Sequence, residues 1–245
     1  MISMEKWVRK HPWVITPVQT ALTLLLYLQC SVLIGIGAWP SVVMMYEYYH
    51  LSQTWPVLIR LLGFSIVGAS GFFLYAVCII FVVGMTYRLL RLKVPVGNHY
   101  VYSWPAIKWA NYNSLILIVR YTCINFLRVT PFIVWFHRMM GAKIGKHVQI
   151  NTAVIGDSCY LEIGDRTTIG GDVTLVAHVA EADQLKITPV KIGKDVTVGI
   201  MTIVVPGVEI GDRAIIAANS VFKKNTKVPP GAVWGGIPAK PLRSE

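Results

Sequence analysis

VKIGKDVTVGIMTIVVPGVEIGDRAIIAANSV, residues 190–221, returns an aliphatic side chain at every sixth position: Ile192, Val198, Val204, Ile210 and Ile216. A helix brings its apolar face round at three and four residues, and a half-buried strand at two. A period of six suits a coil with three short flat faces joined by turns, each face sending one aliphatic side chain inward. Three hexads then close one turn of a triangular prism, and successive turns stack like parallel strands about 4.8 Å apart. The Gly-Lys and Gly-Asp pairs that follow inward residues suit the corners.

The same spacing runs back through Ile163, Ile169 and Leu175 in LEIGDRTTIGGDVTL, and forward to Phe222, Val228 and Trp234. Ile144 and Ile150 open an earlier coil that is out of phase with Ile163. There is one large interruption. Leu175 and Ile192 lie 17 residues apart where one hexad needs six, so 11 residues are extra. The extruded text, VAHVAEADQLKITPV, contains His178 followed by Glu181, Asp183, Gln184 and Lys186. A histidine where a regular coil throws out a polar loop is a candidate site, although a histidine in that position is often structural.

The N-terminal half reads differently. Of the 245 residues 54% are hydrophobic and 14% charged, against roughly a quarter charged in ordinary soluble domains. The net charge of +11 is concentrated in the apolar half: Met1–Gly141 holds 11 Lys/Arg against 2 Asp/Glu, and Ala142–Glu245 holds 12 against 10. That placement favours anionic lipid headgroups and argues against nucleic acid as a partner. Val14–Trp39 and Leu61–Thr86 are uncharged and long enough to cross a bilayer, which takes about 20 residues. The first is too long and wrongly flanked for a cleaved signal peptide. Lys6, Arg9 and Lys10 before the first span and Arg88, Arg91 and Lys93 after the second predict cytoplasmic ends, the connector Pro40–Pro56 having no Lys or Arg. Arg60, at the outer edge of the second span, runs mildly against this orientation and would snorkel.

A third apolar run, Ser114–Met140, is interrupted by Arg120, Arg128, Pro131 and Arg138. It admits two readings: helices lying in the inner interface with their arginines on phosphates, or a third, kinked span that would put the C-terminal half outside. The first is adopted. It gives residues 1–110 as two membrane helices with basic flanks, 111–141 as interfacial amphipathic helices and 142–245 as the repeat domain, a multi-pass inner-membrane protein with that domain in the cytoplasm. Cys30, Cys78, Cys123 and Cys159 are scattered without a CxxC pair, and read as small buried hydrophobes.

IGDRTTIGGDVTL, the 190–222 stretch and the terminal GGIPAKPLR resemble the hexapeptide-repeat acyltransferases, whose fold is a left-handed parallel β-helix. The resemblance covers about Gly141–Arg243. Membrane helices followed by a short β-helix is also similar to the C-terminal region of polylysine-type nonribosomal peptide synthetases. The acyltransferase resemblance implies acetyl-CoA or a longer acyl-CoA as co-substrate, no metal, and a homotrimer with sites between subunits. A solenoid of about five coils with exposed apolar edges would itself gain by packing against copies. The segment Val233–Leu242, with Pro238 and Pro241, would cap one end.

By the same resemblance His178 is the general base, and an imidazole titrating near neutral pH suits that task. Gly199 becomes a candidate oxyanion donor, although it reads equally as a corner glycine. Asn151 falls near a substrate-binding asparagine. Ala217 and Ala218 match small residues beside pantetheine. Lys223, Lys224, Lys240 and Arg243 fall where relatives meet CoA phosphates, and read alternatively as a solvated basic rim. The function implied is transfer of an acyl group to a small-molecule or lipid-linked hydroxyl or amine at the cytoplasmic membrane face. A non-enzymatic trimeric scaffold or synthetase accessory domain is the alternative. A metal-dependent hydrolyase on this fold needs three histidines, and the repeat domain has only His147 and His178.

Overall fold

In the computed structural model, residues 11–243 are described. Lys6, Arg9 and Lys10 lie outside them, as does the side chain of Arg243. Helix α1 spans Ile15–Leu51 and α2 spans Val57–Leu89, both long and apolar enough to cross a membrane. α1 runs past the expected span Val14–Trp39 at its C-terminal end, and α2 past Leu61–Thr86 at both ends. The connector shrinks to residues 52–56, because α1 runs through Pro40 and on to Leu51. Proline removes one helix hydrogen bond and crowds the preceding turn; Gly37 lies in that turn. The pair packs closely at small residues. A Cβ on Gly37 would come within 2.9 Å of the Ile79 side chain, and Ser41 Oγ donates to the Gly71 carbonyl at 2.6 Å. At 1.5 Å per residue α1 is about 55 Å long, well beyond a ~30 Å hydrocarbon core.

Strand β1 (Gly97–Tyr100) leads into α3 (Trp104–Thr122), which crosses the boundary expected at residue 110. Ser103 caps α3 and Pro105 sits in its first turn, where its missing N–H costs nothing. A short α4 (Ile124–Leu127) and α5 (Pro131–Met139) follow. One flank of this group is buried (Tyr112, Leu115, Ile116, Val119, Ile133 and Phe136), while Trp104, Tyr121, Phe126 and Trp135 are exposed. Two arginines expected to reach lipid phosphates are instead tied to the repeat domain. Arg128 pairs with Asp172 at 2.6 Å, and Arg138 donates to the carbonyls of Ile144 and Gly145 at 2.6–3.1 Å.

The C-terminal half winds as the sequence period requires. Its first coil holds β2 (Lys143–Ile144), β3 (Gln149–Ile150) and a bridge at Ile155. The second holds β4 (Leu161–Ile163), β5 (Thr168–Ile169) and β6 (Thr174–Leu175). A hairpin, β7 (His178–Glu181) and β8 (Gln184–Ile187), then leaves the prism. The third coil holds β9 (Val190–Ile192), β10 (Thr197–Val198) and β11 (Ile203–Val204). The fourth has β12 (Glu209–Ile210), β13 (Ile215–Ile216) and a bridge at Val221. The last is β14 (Lys227–Val228) and β15 (Val233–Gly235), closed by antiparallel β16 (Lys240–Arg243).

Parallel pairing aligns Ile144, Ile163, Ile192, Ile210 and Val228 on the first face, and Ile150, Ile169, Val198, Ile216 and Trp234 on the second. All but Ile144 and Trp234 are buried. On the outside of the first face Lys143, Glu162, Lys191, Glu209 and Lys227 alternate in sign, with ion pairs of 2.7–3.7 Å.

Candidate active site

The repeat takes up extra residues at two places, and both fall at the corner between the third and first faces, one coil apart. The first is the phase slip between Ile155 and Ile163, which the turn Ser158–Tyr160 absorbs. The second is the excursion. The chain enters both from paired positions: Ile155 bridges Leu175, and the Gly156 N–H donates to the Leu175 carbonyl at 3.0 Å. Asp157 and His178 therefore meet although they lie 21 residues apart. The His178 Nδ1–H donates to Asp157 Oδ2 at 2.5 Å. Because a carboxylate can only accept, that bond fixes the neutral ring's proton on Nδ1 and leaves the lone pair on Nε2. The Asp157 side chain is 2% exposed and that of His178 25%. Asp157 also accepts the Ala177 N–H on Oδ2 and the Trp109 indole N–H on Oδ1, both at 3.0 Å. The indole lies 4.5 Å from the imidazole, centroid to centroid, tilted by 60°.

The extruded segment is no free loop. It forms a two-residue hairpin, with Ala182 in the left-handed region, whose second strand pairs with β1 from the helical half. Glu181 near the tip binds Lys186 at 2.8 Å and also Lys224. Lys186 and then Lys224 hold its carboxyl down at about 2.

The slip is also the joint between the two halves. Asp157 receives Trp109, and Ser158 Oγ lies 2.8 Å from Nδ1 of His137 on α5. The Cys159 N–H donates to the Tyr112 hydroxyl at 3.2 Å. The Tyr160 hydroxyl donates to the Val94 carbonyl at 2.6 Å and accepts the Val94 N–H at 3.0 Å. Four consecutive residues thus each bond a different residue of the helical half, on α3, α5 and the segment before β1. Burial pushes the Cys159 thiol up to about 12 and the His137 imidazole down to about 3. His137 Nε2 is buried without a hydrogen-bond partner among the described residues.

The other anticipated residues gather at a different corner, between the second and third faces. A Cβ on Gly199 would come within 2.5 Å of the Ala218 backbone nitrogen, and one on Gly235 within 2.8 Å of the Ala217 Cβ. Asn151 lies beside Gly171 at the first-coil end of the same corner. Gly199 is needed there for close approach between coils. As an oxyanion donor it is corrected: its N–H donates to the Ile216 carbonyl at 2.8 Å, so the ladder already uses it. Lys224 is held by Glu181, Lys223 is exposed in the turn before β14, and Lys240 and the Arg243 backbone lie in the closing strand. In one chain His178 and the glycine–alanine corner stand apart, with the third face between them.

Sequence reasoning found His178 and missed Asp157, Trp109 and the strand that holds the hairpin. The signal for Asp157 was the out-of-phase first coil, which marks a second place where the chain leaves the prism.

Residues 189–224 match the family model described as bacterial transferase hexapeptide (six repeats). The putative acetyltransferase YvoF of Bacillus subtilis is 34% identical over 131 residues, which cover 51% of this chain and 75% of that protein. The chain belongs to the hexapeptide-repeat acetyltransferase family. A second relative, the delta-poly-L-ornithine synthetase of Acinetobacter baumannii, is 31% identical over 118 residues, 48% of this chain but only 9% of that much longer protein. Among solved structures, the hexapeptide-repeat acetyltransferase VCA0836 of Vibrio cholerae, complexed with acetyl coenzyme A, is 33% identical with a TM-score of 0.39, over 42% of this chain and 60% of that one.

Proposed function

We propose that the chain is a membrane-anchored acyltransferase that moves an acetyl or longer acyl group from acyl-CoA to a hydroxyl or amine acceptor at the cytoplasmic membrane face. The observation that carries this reading is the His178–Asp157 pair: an imidazole oriented by a buried carboxylate, with no hydrogen bond to its Nε2 among the described residues. Nε2 takes the proton from the acceptor O–H or N–H as that oxygen or nitrogen bonds to the thioester carbonyl carbon. The tetrahedral intermediate collapses by breaking its C–S bond, and the leaving thiolate receives the proton back from the imidazolium. CoA supplies the activated acyl group; Asp157 keeps the ring in the working tautomer throughout.

The small-residue corner at Gly199, Ala217 and Ala218, with Asn151 at its end, offers a flat edge for pantetheine and acceptor. Since His178 stands at another corner, a complete site needs two chains, and a homotrimer supplies it. Exposed Ile200, Met201, Ile203 and Ile215 support lateral packing between copies. The anchor reading rests on the two long apolar helices and on the basic residues Arg88, Arg91 and Lys93 after the second. Lys223, Lys224, Lys240 and Arg243 are proposed to meet CoA phosphates, Lys224 by exchanging Glu181 for phosphate.

His178→Ala is expected to abolish acetyl-CoA-dependent transfer while the fold is retained; undiminished turnover refutes the mechanism. The match to part of a polyornithine synthetase favours a second reading, an accessory domain that does not itself catalyse transfer. Equilibrium binding of acetyl-CoA separates the two, since that domain should bind none. A metal-hydrolase reading lacks donors: it needs three histidines, and the repeat domain holds only His147 and His178.

A further inference from the structure

We propose that Trp109, on α3 of the helical half, is a positioning residue for His178 and makes that half part of the active site; the inference rests on His178 acting as the base. The carboxylate of Asp157 is buried, so its rotation is set by the donors it finds. Oδ2 is shared by His178 Nδ1–H and Ala177 N–H, while Oδ1 receives the Trp109 indole N–H. Indole nitrogen is a donor only, and therefore suits a carboxylate oxygen. Without it Oδ1 loses a partner in a place from which water is largely excluded. The plane of the carboxylate, and with it the direction in which Nδ1 is held, would then be less well fixed.

The same side chain acts a second time. Its ring lies against the imidazole, 4.5 Å between centroids and tilted by 60°, so that the imidazole's orientation is limited by packing as well as by the Nδ1 bond. One residue thus fixes the carboxylate through its nitrogen and the imidazole through its ring.

What makes this more than local support is where Trp109 comes from. Two residues further along α3, Asn111 exchanges side-chain hydrogen bonds with Gln29 of α1 at 2.8 and 3.3 Å. Tyr112 packs edge-on against Tyr87 of α2, with ring centroids 5.4 Å apart. The helix that orients the base is therefore seated directly on both long apolar helices. No flexible tether separates those helices from the dyad, and a shift of α3 against them would move Trp109 and with it the base.

The test uses the full-length protein in detergent micelles, with acetyl-CoA as probe and a bacterial polar-lipid extract as the source of acceptors, thiol release being the readout. Trp109→Phe keeps a ring and removes the donor. It should lower kcat about tenfold, as for other groups that orient a catalytic side chain, and leave KM for acetyl-CoA unchanged. Asp157→Asn should cost more, about 100-fold, and Trp109→Phe should add nothing in that background, because its effect runs through Asp157. Unchanged kcat in Trp109→Phe, or multiplication of the two effects, overturns the inference while leaving His178 as base. Undiminished turnover in His178→Ala overturns the parent reading instead.

A second measurement needs neither turnover nor a stable Trp109 variant. In proton NMR the Trp109 indole N–H signal should shift in Asp157→Asn and stay in place in Lys108→Ala. An indole signal indifferent to Asp157→Asn refutes the contact on which the proposal stands.

Discussion

His137 offers a direct test of how the two halves are joined. Its ring is fully enclosed, bonded through Nδ1 to Ser158 and unpartnered at Nε2 among the described residues, and burial holds its titration at about 3. In the unfolded chain the same group titrates near 6.5. The folded value is depressed, so stability is complete above 6.5 and is lost as the pH falls toward 3, because the unfolded state takes up a proton that the folded state refuses. Between pH 7 and pH 5 this loss is about 2 kcal/mol, since each unit below the unfolded value costs about 1.4 kcal/mol. For a chain of this size that corresponds to a fall of roughly 4–8 °C in Tm. His137→Asn keeps a polar group facing Ser158 but cannot titrate. Thermal unfolding in micelles, followed by circular dichroism at the two pH values, should show the fall in the wild type and a fall smaller by that amount in the variant. An equal fall in both proteins refutes the assignment of a neutral, enclosed His137.

Three further outcomes are expected. Tyr160→Phe leaves the buried Val94 N–H and carbonyl without their partner and should cost about 1–3 kcal/mol in urea unfolding. Gly199→Ala places a Cβ against the Ala218 backbone and should destabilise the coil stack by about 1–3 kcal/mol on the same measurement. Lys224→Ala releases one of the two lysines on Glu181, and hydrogen exchange at the hairpin tip, residues 181–184, should quicken. The wild-type tip should loosen in the same way as the pH falls from about 4.5 toward 2, the interval over which Glu181, whose value is depressed, gains its proton.

The prism was legible because each hexad carries its own evidence: one inward aliphatic side chain and a corner that tolerates Gly-Asp or Gly-Lys. A repeat whose contacts are all between neighbouring coils writes itself into sequence spacing. The site was only half legible. His178 stood out at the edge of an 11-residue surplus, but Asp157 was hidden in a slip so small that it registered only as a change of phase. Trp109 lies 48 residues before Asp157 on a helix whose burial is set by three different partners, and no local pattern announces such a contact. The arginines misled for a related reason. Arg128 and Arg138 look like phosphate seekers in an apolar run, yet their partners are an aspartate and two carbonyls on coils folded back beneath them.

The way the prism ends has a consequence for assembly. A stack of parallel rungs with bare terminal rungs is a template onto which another copy can add, and then another, without limit. Here the final rung is covered by β16, turned back antiparallel across β15. At the opposite end the carbonyls of Ile144, Gly145 and Ile150 are taken by Arg138 and by the Val129 N–H. On the second face growth along the axis is therefore closed at both ends, which leaves the flanks of the prism as the open surfaces for contact between copies.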